Sequence, residues 1–218
     1  MRAPASLSSA PALPWKFVGG DLSLDFVNTV DWTPAGPVKD RLVDIHRLVE
    51  WGKRASVLER ADVARLSRVA QRRSVNAQRA YERARWGRWV LQRLYTSIAE
   101  EHGSKPALDD FNELRRLASA RRALAYRNQA GTVLECRSTQ PDDLDAVLWA
   151  VVGAAERLLV SSELERLRVC AGRDCGWLYV DRSRNGLRRW CDMATCGTIA
   201  KSQRRAARRN AARSAPRS

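Results

Sequence analysis

Four of the chain's five cysteines fall in one short stretch, and their spacing limits what that stretch can fold into more than any other feature. Cys170 and Cys175 form one C-x4-C pair. Cys191 and Cys196 form another, fifteen residues further on. Each pair makes a turn that brings two thiolates together, and four thiolates suit the tetrahedral preference of Zn2+. One structural zinc ion is therefore expected, with no open position for catalysis. Two disulfides, four unpaired thiols and an iron–sulfur cluster are the competing uses of such cysteines. Both second cysteines precede a glycine, Gly176 and Gly197. These glycines are expected to take positive φ, fold the chain back and aim amides at sulfur. Arg173, Arg188 and Arg189 are expected to offset the negative charge of a tetrathiolate, and Trp177, Tyr179 and Trp190 to form a small apolar core. So short a module buries too little surface to fold alone, and the metal is expected to supply much of its stability. The fifth cysteine, Cys136, lies in the alternating run 132–136 and reads as an ordinary strand residue.

Charge points to a polyanionic partner. The net charge is +15 over 218 residues, and residues 161–218 hold 14 Lys or Arg against 5 Asp or Glu. That quarter of the chain carries more than half of the excess, as a nucleic-acid-binding module would. Arginine outnumbers lysine 34 to 5, which a GC-rich genome explains as well as phosphate binding does. No apolar run approaches the roughly 20 residues a bilayer requires. The first residues, rich in Ala, Ser and Pro, lack the apolar core of a signal peptide, so a cytoplasmic location is expected.

The fold expected is mainly α. Residues 1–14 read as a flexible tail, 15–162 as a helical domain, 163–213 as the cysteine module with a basic helix, and 214–218 as a disordered tail. Residues 17–30 are strongly apolar, interrupted by Asp25 and Asn28, with a turn at Gly19–Gly20 before them and a loop at 34–37 after. Helices are expected over 40–54, from a Ser56–Glu59 capping box onward, and in a long segment to about His102 whose face is Trp86, Val90, Leu94 and Ile98. Gly103 and Pro106 are expected to stop that helix, with the next over 109–123. Short extended runs around Gly131, at 123–127 and 132–137, suggest a small β-hairpin. Pro141–Asp142–Asp143 should open a buried helix ending near Ser161.

The run from Cys170 to Gly197 contains D-x-S-R-N-x-x-R-R-W-C-x-M-x-x-C-G, and this resembles the CGNR zinc-finger family. At the other end GGDLSLDFVNTV, with Trp51 downstream, is similar to the ABATE domain that usually precedes this finger. The resemblance implies a bacterial transcription regulator, often described as stress-induced. Its finger would bind DNA, and its helical domain would sense a signal or mediate assembly. One departure stands out: the naming tetrapeptide reads Cys196–Gly197–Thr198–Ile199, so the family's Asn and Arg are absent. The ligands survive, as does Lys201 at a position the family usually keeps basic.

Residues after Cys196 are rich in Ala and Arg and favour helix. Lys201, Arg204, Arg205, Arg208 and Arg209 recur at three- and four-residue spacing and share a broad face suited to duplex DNA. Arg182, Arg184, Arg188 and Arg189, between the cysteine pairs, are expected to grip the backbone from a second side. Ser183 and Asn185 are read either as DNA contacts or as residues closing a turn. A homodimer would match a symmetric operator. For an unknown small-molecule effector, Asp25, Asn28 and Trp51 are the candidate pocket; hydrogen bonding of Asp25 and Asn28 to backbone is the competing reading. The two histidines, His46 and His102, lie in no catalytic motif, and no phosphate loop or nucleophile elbow is present, so no enzymatic activity is expected. A zinc protein that binds a ligand, another protein or RNA is the alternative.

Overall fold

The computed structural model describes residues 14–126, 131 and 134–214. The two predicted tails, Pro14 and Ser214 apart, lie outside the described residues. Asp21 starts the first element: its backbone is extended and its carboxylate accepts the Ser23 amide at 2.8 Å. Helix α1 (Leu22–Val27) buries Leu24, Phe26 and Val27. A hairpin not expected from the sequence follows, β1 (Val30–Thr33) against β2 (Gly36–Asp40). The predicted loop at 34–37 shrinks to the hairpin tip, and Pro37 pairs opposite Trp32, where the register slips. That irregularity is a place where a strand tolerates a residue without an amide N–H.

Helix α2 (Ile45–Arg54) is capped by Asp44, whose carboxylate accepts the Arg47 amide. The capping box sits three residues beyond the predicted one. Ser56 instead takes a left-handed φ of 59° after α2, and Glu59 caps α3 (Arg60–Arg72) in exchange with Asp62. Helix α4 (Ser74–Ala99) buries Val90 and Leu94 fully, with Trp86 and Ile98 packed at the margin. Pro106 does not end it. Proline lies in the first turn of α5 (Lys105–Ser119), where its missing N–H costs nothing, and Ser104 caps that turn. The predicted hairpin is present as β3 (Arg122–Tyr126) and β4 (Leu134–Ser138), with Cys136 opposite Leu124. Helix α6 (Ala146–Leu159) begins later than Pro141 suggests, because Asp143 turns inward and accepts the Trp149 indole N–H and the Ser138 hydroxyl.

Helix α6 is the hub, packing against α1, α2, α4 and α5. Its Val147, Leu148, Val151, Val152, Ala155 and Leu158 are each at most 3% exposed. One buried ion pair ties α4 to the first hairpin. Arg88 donates to both Asp40 carboxylate oxygens and to the Thr29 hydroxyl. After α6 a 3₁₀ turn (Ser162–Arg166) leads into β5 (Leu167–Val169), antiparallel to β6 (Leu178–Val180). Leu167, Leu178, Tyr179 and Val180 are fully buried and belong to the same apolar cluster as α6. The predicted boundary between 162 and 163 is therefore no gap in packing. A wide helical turn (Met193–Gly197) then runs directly into α7 (Thr198–Ser214). No helix among the described residues is long and apolar enough to cross a membrane.

Candidate metal centre

The four cysteines converge. Cys170 follows β5, Cys175 precedes β6, Cys191 ends the intervening loop and Cys196 lies in the wide turn, which Asp192 caps through the Ala194 amide. Their sulfur atoms all lie within 4.8 Å of one another. Cys191 Sγ is 3.8 Å from that of Cys175 and 3.7 Å from that of Cys196, and all four residues are free cysteines rather than disulfides. The amides of Gly172 and Cys191 donate to Cys170 Sγ at 3.4 and 3.3 Å. Without a cation, sulfurs so close cannot ionise together. Thiol hydrogen bonds from Cys175 and Cys191 push Cys170 down to about 2, while donating to it pushes Cys175 up to about 12 and Cys191 upward as well. A bound divalent ion lets all four ionise. The donor set therefore fits a soft tetrahedral metal, and these are the ligands of one structural zinc.

The glycines after the second cysteines serve a different purpose from the one expected. Neither Gly176 nor Gly197 has positive φ; in this region that conformation falls at Gly186. They are small because neighbours are close. A Cβ on Gly176 would lie 3.0 Å from Trp32 Cβ, and its amide donates to Trp32 O at 2.7 Å. A Cβ on Gly197 would lie 2.8 Å from Met193 Sδ.

Nor does the module stand alone. Trp177 donates its indole N–H to Val30 O at 2.8 Å, and the Val180 amide donates to Gly19 O. Asn28 clamps β6 from both sides: its Nδ2 donates to Leu178 O at 2.8 Å, and its Oδ1 accepts the Leu178 amide at 3.0 Å. Trp177 and Tyr179 are core residues, as expected, but against the helical domain; Trp190 is only half-buried. The cations beside the sulfurs also differ from the expected set. Lys16 and Arg41 flank the Trp177 ring and line a cleft of about 250 Å3 that Cys175, Cys191 and Cys196 reach. Arg173 is exposed. Arg188 is committed to carbonyls, donating to Val18 O at 2.9 Å, to Trp190 O at 3.0 Å and to Cys191 O, while stacking on Tyr179.

Asp181, which the sequence reading passed over, organises the loop between the cysteine pairs. Buried, it accepts the Ser183 amide and hydroxyl and the Arg188 amide. Ser183 closes the turn by accepting the Leu187 amide, and Asn185 is exposed. The D-x-S pattern was the available signal, since such residues hydrogen-bond to nearby backbone.

The three residues considered for an effector pocket all lie in the interior. Asp25 Oδ1 accepts the Gly19 amide at 2.8 Å. Burial raises its carboxyl to about 6, opposed by that amide and reinforced by Asp21. Asn28 forms the clamp on Leu178. Trp51 is fully buried between Phe17 and Phe26, and its indole N–H has no acceptor among the described residues.

Of the basic residues singled out, Arg182 forms a bidentate pair with Glu163 at 2.6 and 2.8 Å. Arg184 and Arg189 are exposed, and Arg189 and Arg204 each lie 5.7 Å from the Trp190 ring. Lys201, Arg204, Arg205, Arg208 and Arg209 are exposed along α7, which contains no acidic residue. No carboxylate pairs with any of these five among the described residues. Thr198 and Ile199, where the family has Asn and Arg, are both exposed on the first turn of α7, and the Thr198 hydroxyl donates to Met193 O.

Comparison with family models agrees with this anatomy. The CGNR zinc finger matches residues 166–209. The ABATE model, described as "Putative stress-induced transcription regulator", matches residues 20–162. No curated protein matches the chain. The chain thus belongs to the ABATE family and carries a CGNR zinc finger at its C-terminal end.

Proposed function

We propose that this regulator binds duplex DNA through its finger, with α7 as the principal contact element. The observation that carries this reading is the helix itself. Five cations project from it without carboxylate partners among the described residues, and it grows straight out of the turn that holds Cys196. A bound metal thereby fixes the root of the helix. Arg189, which shares the Trp190 ring with Arg204, extends the same basic surface, and Arg184 is a further exposed cation of the finger. Arg182, paired with Glu163, and Arg188, bound to three carbonyls, serve mainly to hold the loop that presents them.

Phosphate contacts release counterions, so binding should weaken steeply with salt, by a slope of roughly −0.9 per contact. Charge reversal of Arg204 and Arg208 together should lower affinity for every duplex and flatten that slope. The test is fluorescence anisotropy of the zinc-loaded chain with duplex DNA, single-stranded RNA and a polyanion control over a salt series. Equal binding of variant and wild type would overturn the assignment of α7. A preference for RNA would move the function to another class of partner.

A further inference from the structure

Away from the finger, a cleft of about 460 Å3 opens between α3, α6 and the β3–β4 hairpin. Its volume is that of a small-ligand site. We propose that it binds a small carboxylate with an apolar body, held by Arg122.

The guanidinium of Arg122 lies close against α6 at Gly153. A Cβ there would sit 2.0 Å from Arg122 Nη1 and 2.6 Å from Cζ. Glycine is a poor helix former, and its place in the middle of α6 is explained by this close approach. Gly153 shares a helix face with Ala146, Trp149 and Ala150, which line the cleft, so the cation closes one end of an apolar wall. Leu58 and Leu66 complete that wall.

Arg122 is half-buried, and its guanidinium has no hydrogen-bond or ion-pair partner among the described residues. The other charged groups of the cleft are already committed. Glu59 and Asp62 cap α3, and Arg65 donates to Asp62 and to Pro141 O. A half-buried guanidinium without an acceptor is costly, and a carboxylate matches its paired N–H groups. A single free cation beside two carboxylates disfavours a multiply charged anion such as phosphate. The apolar wall calls for a hydrocarbon body, aromatic or branched.

The test uses the full zinc-loaded chain in titration calorimetry, with benzoate as probe, benzamide as its neutral isostere and inorganic phosphate as the charged control. Saturable binding of benzoate alone is expected. Arg122→Gln should weaken it about tenfold or more, the worth of a charged hydrogen bond. Gly153→Ala should do the same by displacing the guanidinium while favouring the helix, so a folded variant with weakened binding is expected. Equal binding of benzoate and benzamide, undiminished binding by Arg122→Gln, or no saturation in the millimolar range would each overturn the proposal. DNA binding does not enter this test, and either reading can fail without the other.

Discussion

Replacing Asn28 by leucine tests how the finger is held to the helical domain. Asn28 is 1% exposed and Leu178 is fully buried, so water cannot replace the two hydrogen bonds between them. Leucine keeps the branched heavy-atom skeleton, though it is bulkier, and leaves the Leu178 N–H and C=O unpaired. Each orphaned group costs about 1–3 kcal/mol, so a loss of roughly 2–6 kcal/mol is expected. That is a large part of a typical domain stability of about 5–15 kcal/mol. In a chain of this size a loss of about 3 kcal/mol lowers Tm by roughly 6–12 °C. Asn28→Asp should cost less than leucine in bonds but adds repulsion, because its second oxygen then faces Leu178 O. Urea unfolding followed by tryptophan fluorescence measures the loss. Metal release to a chromogenic chelator measures its consequence for the finger, since Leu178 lies three residues from Cys175. Both variants should release zinc faster than wild type. If Asn28→Leu stays within about 1 kcal/mol of wild type, ordinary polar-surface behaviour, the clamp argument fails.

Three further outcomes are expected. Arg88→Ala leaves the Asp40 carboxylate without its cation and with only the Leu42 amide as donor, and should cost about 3–5 kcal/mol in urea unfolding. Asp25 has a folded pKa near 6, above its unfolded value of 3.8, so the native state binds the proton more tightly. Stability should therefore fall as pH rises from about 4 through 6, by at most roughly 3 kcal/mol, and Asp25→Asn should flatten that slope in unfolding curves collected across this range. Zinc removal by a chelator should release about one ion per chain. It should also alter Trp177 fluorescence while far-ultraviolet dichroism keeps most of the helical signal of α1 to α6; loss of all helical signal would show that the shared core does not hold together without the metal.

The long periodic helices were legible because apolar spacing reports a buried face directly. Trp86, Val90, Leu94 and Ile98 behave as their four-residue interval implies. Helix ends were less legible because several residues compete for the same backbone donors. Glu59 caps α3 in place of Ser56, Pro106 lies in the first turn of α5 where it was expected to stop the helix before, and Asp143 bends inward to Trp149 instead of opening α6. The β1–β2 hairpin escaped notice because Pro37 reads as a loop residue and only its slipped pairing makes room for it.

The cysteine site shows the same division. Spacing alone determined the ligand set, because two C-x4-C turns and a tetrahedral metal leave little choice, and the basic face of α7 follows from residue intervals along one helix. Only the tertiary structure decided what surrounds them. It placed Asn28 against a backbone 150 residues away, gave Arg188 three carbonyl partners, and kept Gly176 small for the sake of Trp32. Metal ligation is dictated by local geometry and donor chemistry, which a short sequence carries whole. Docking depends on which distant surfaces meet, and no local pattern records that.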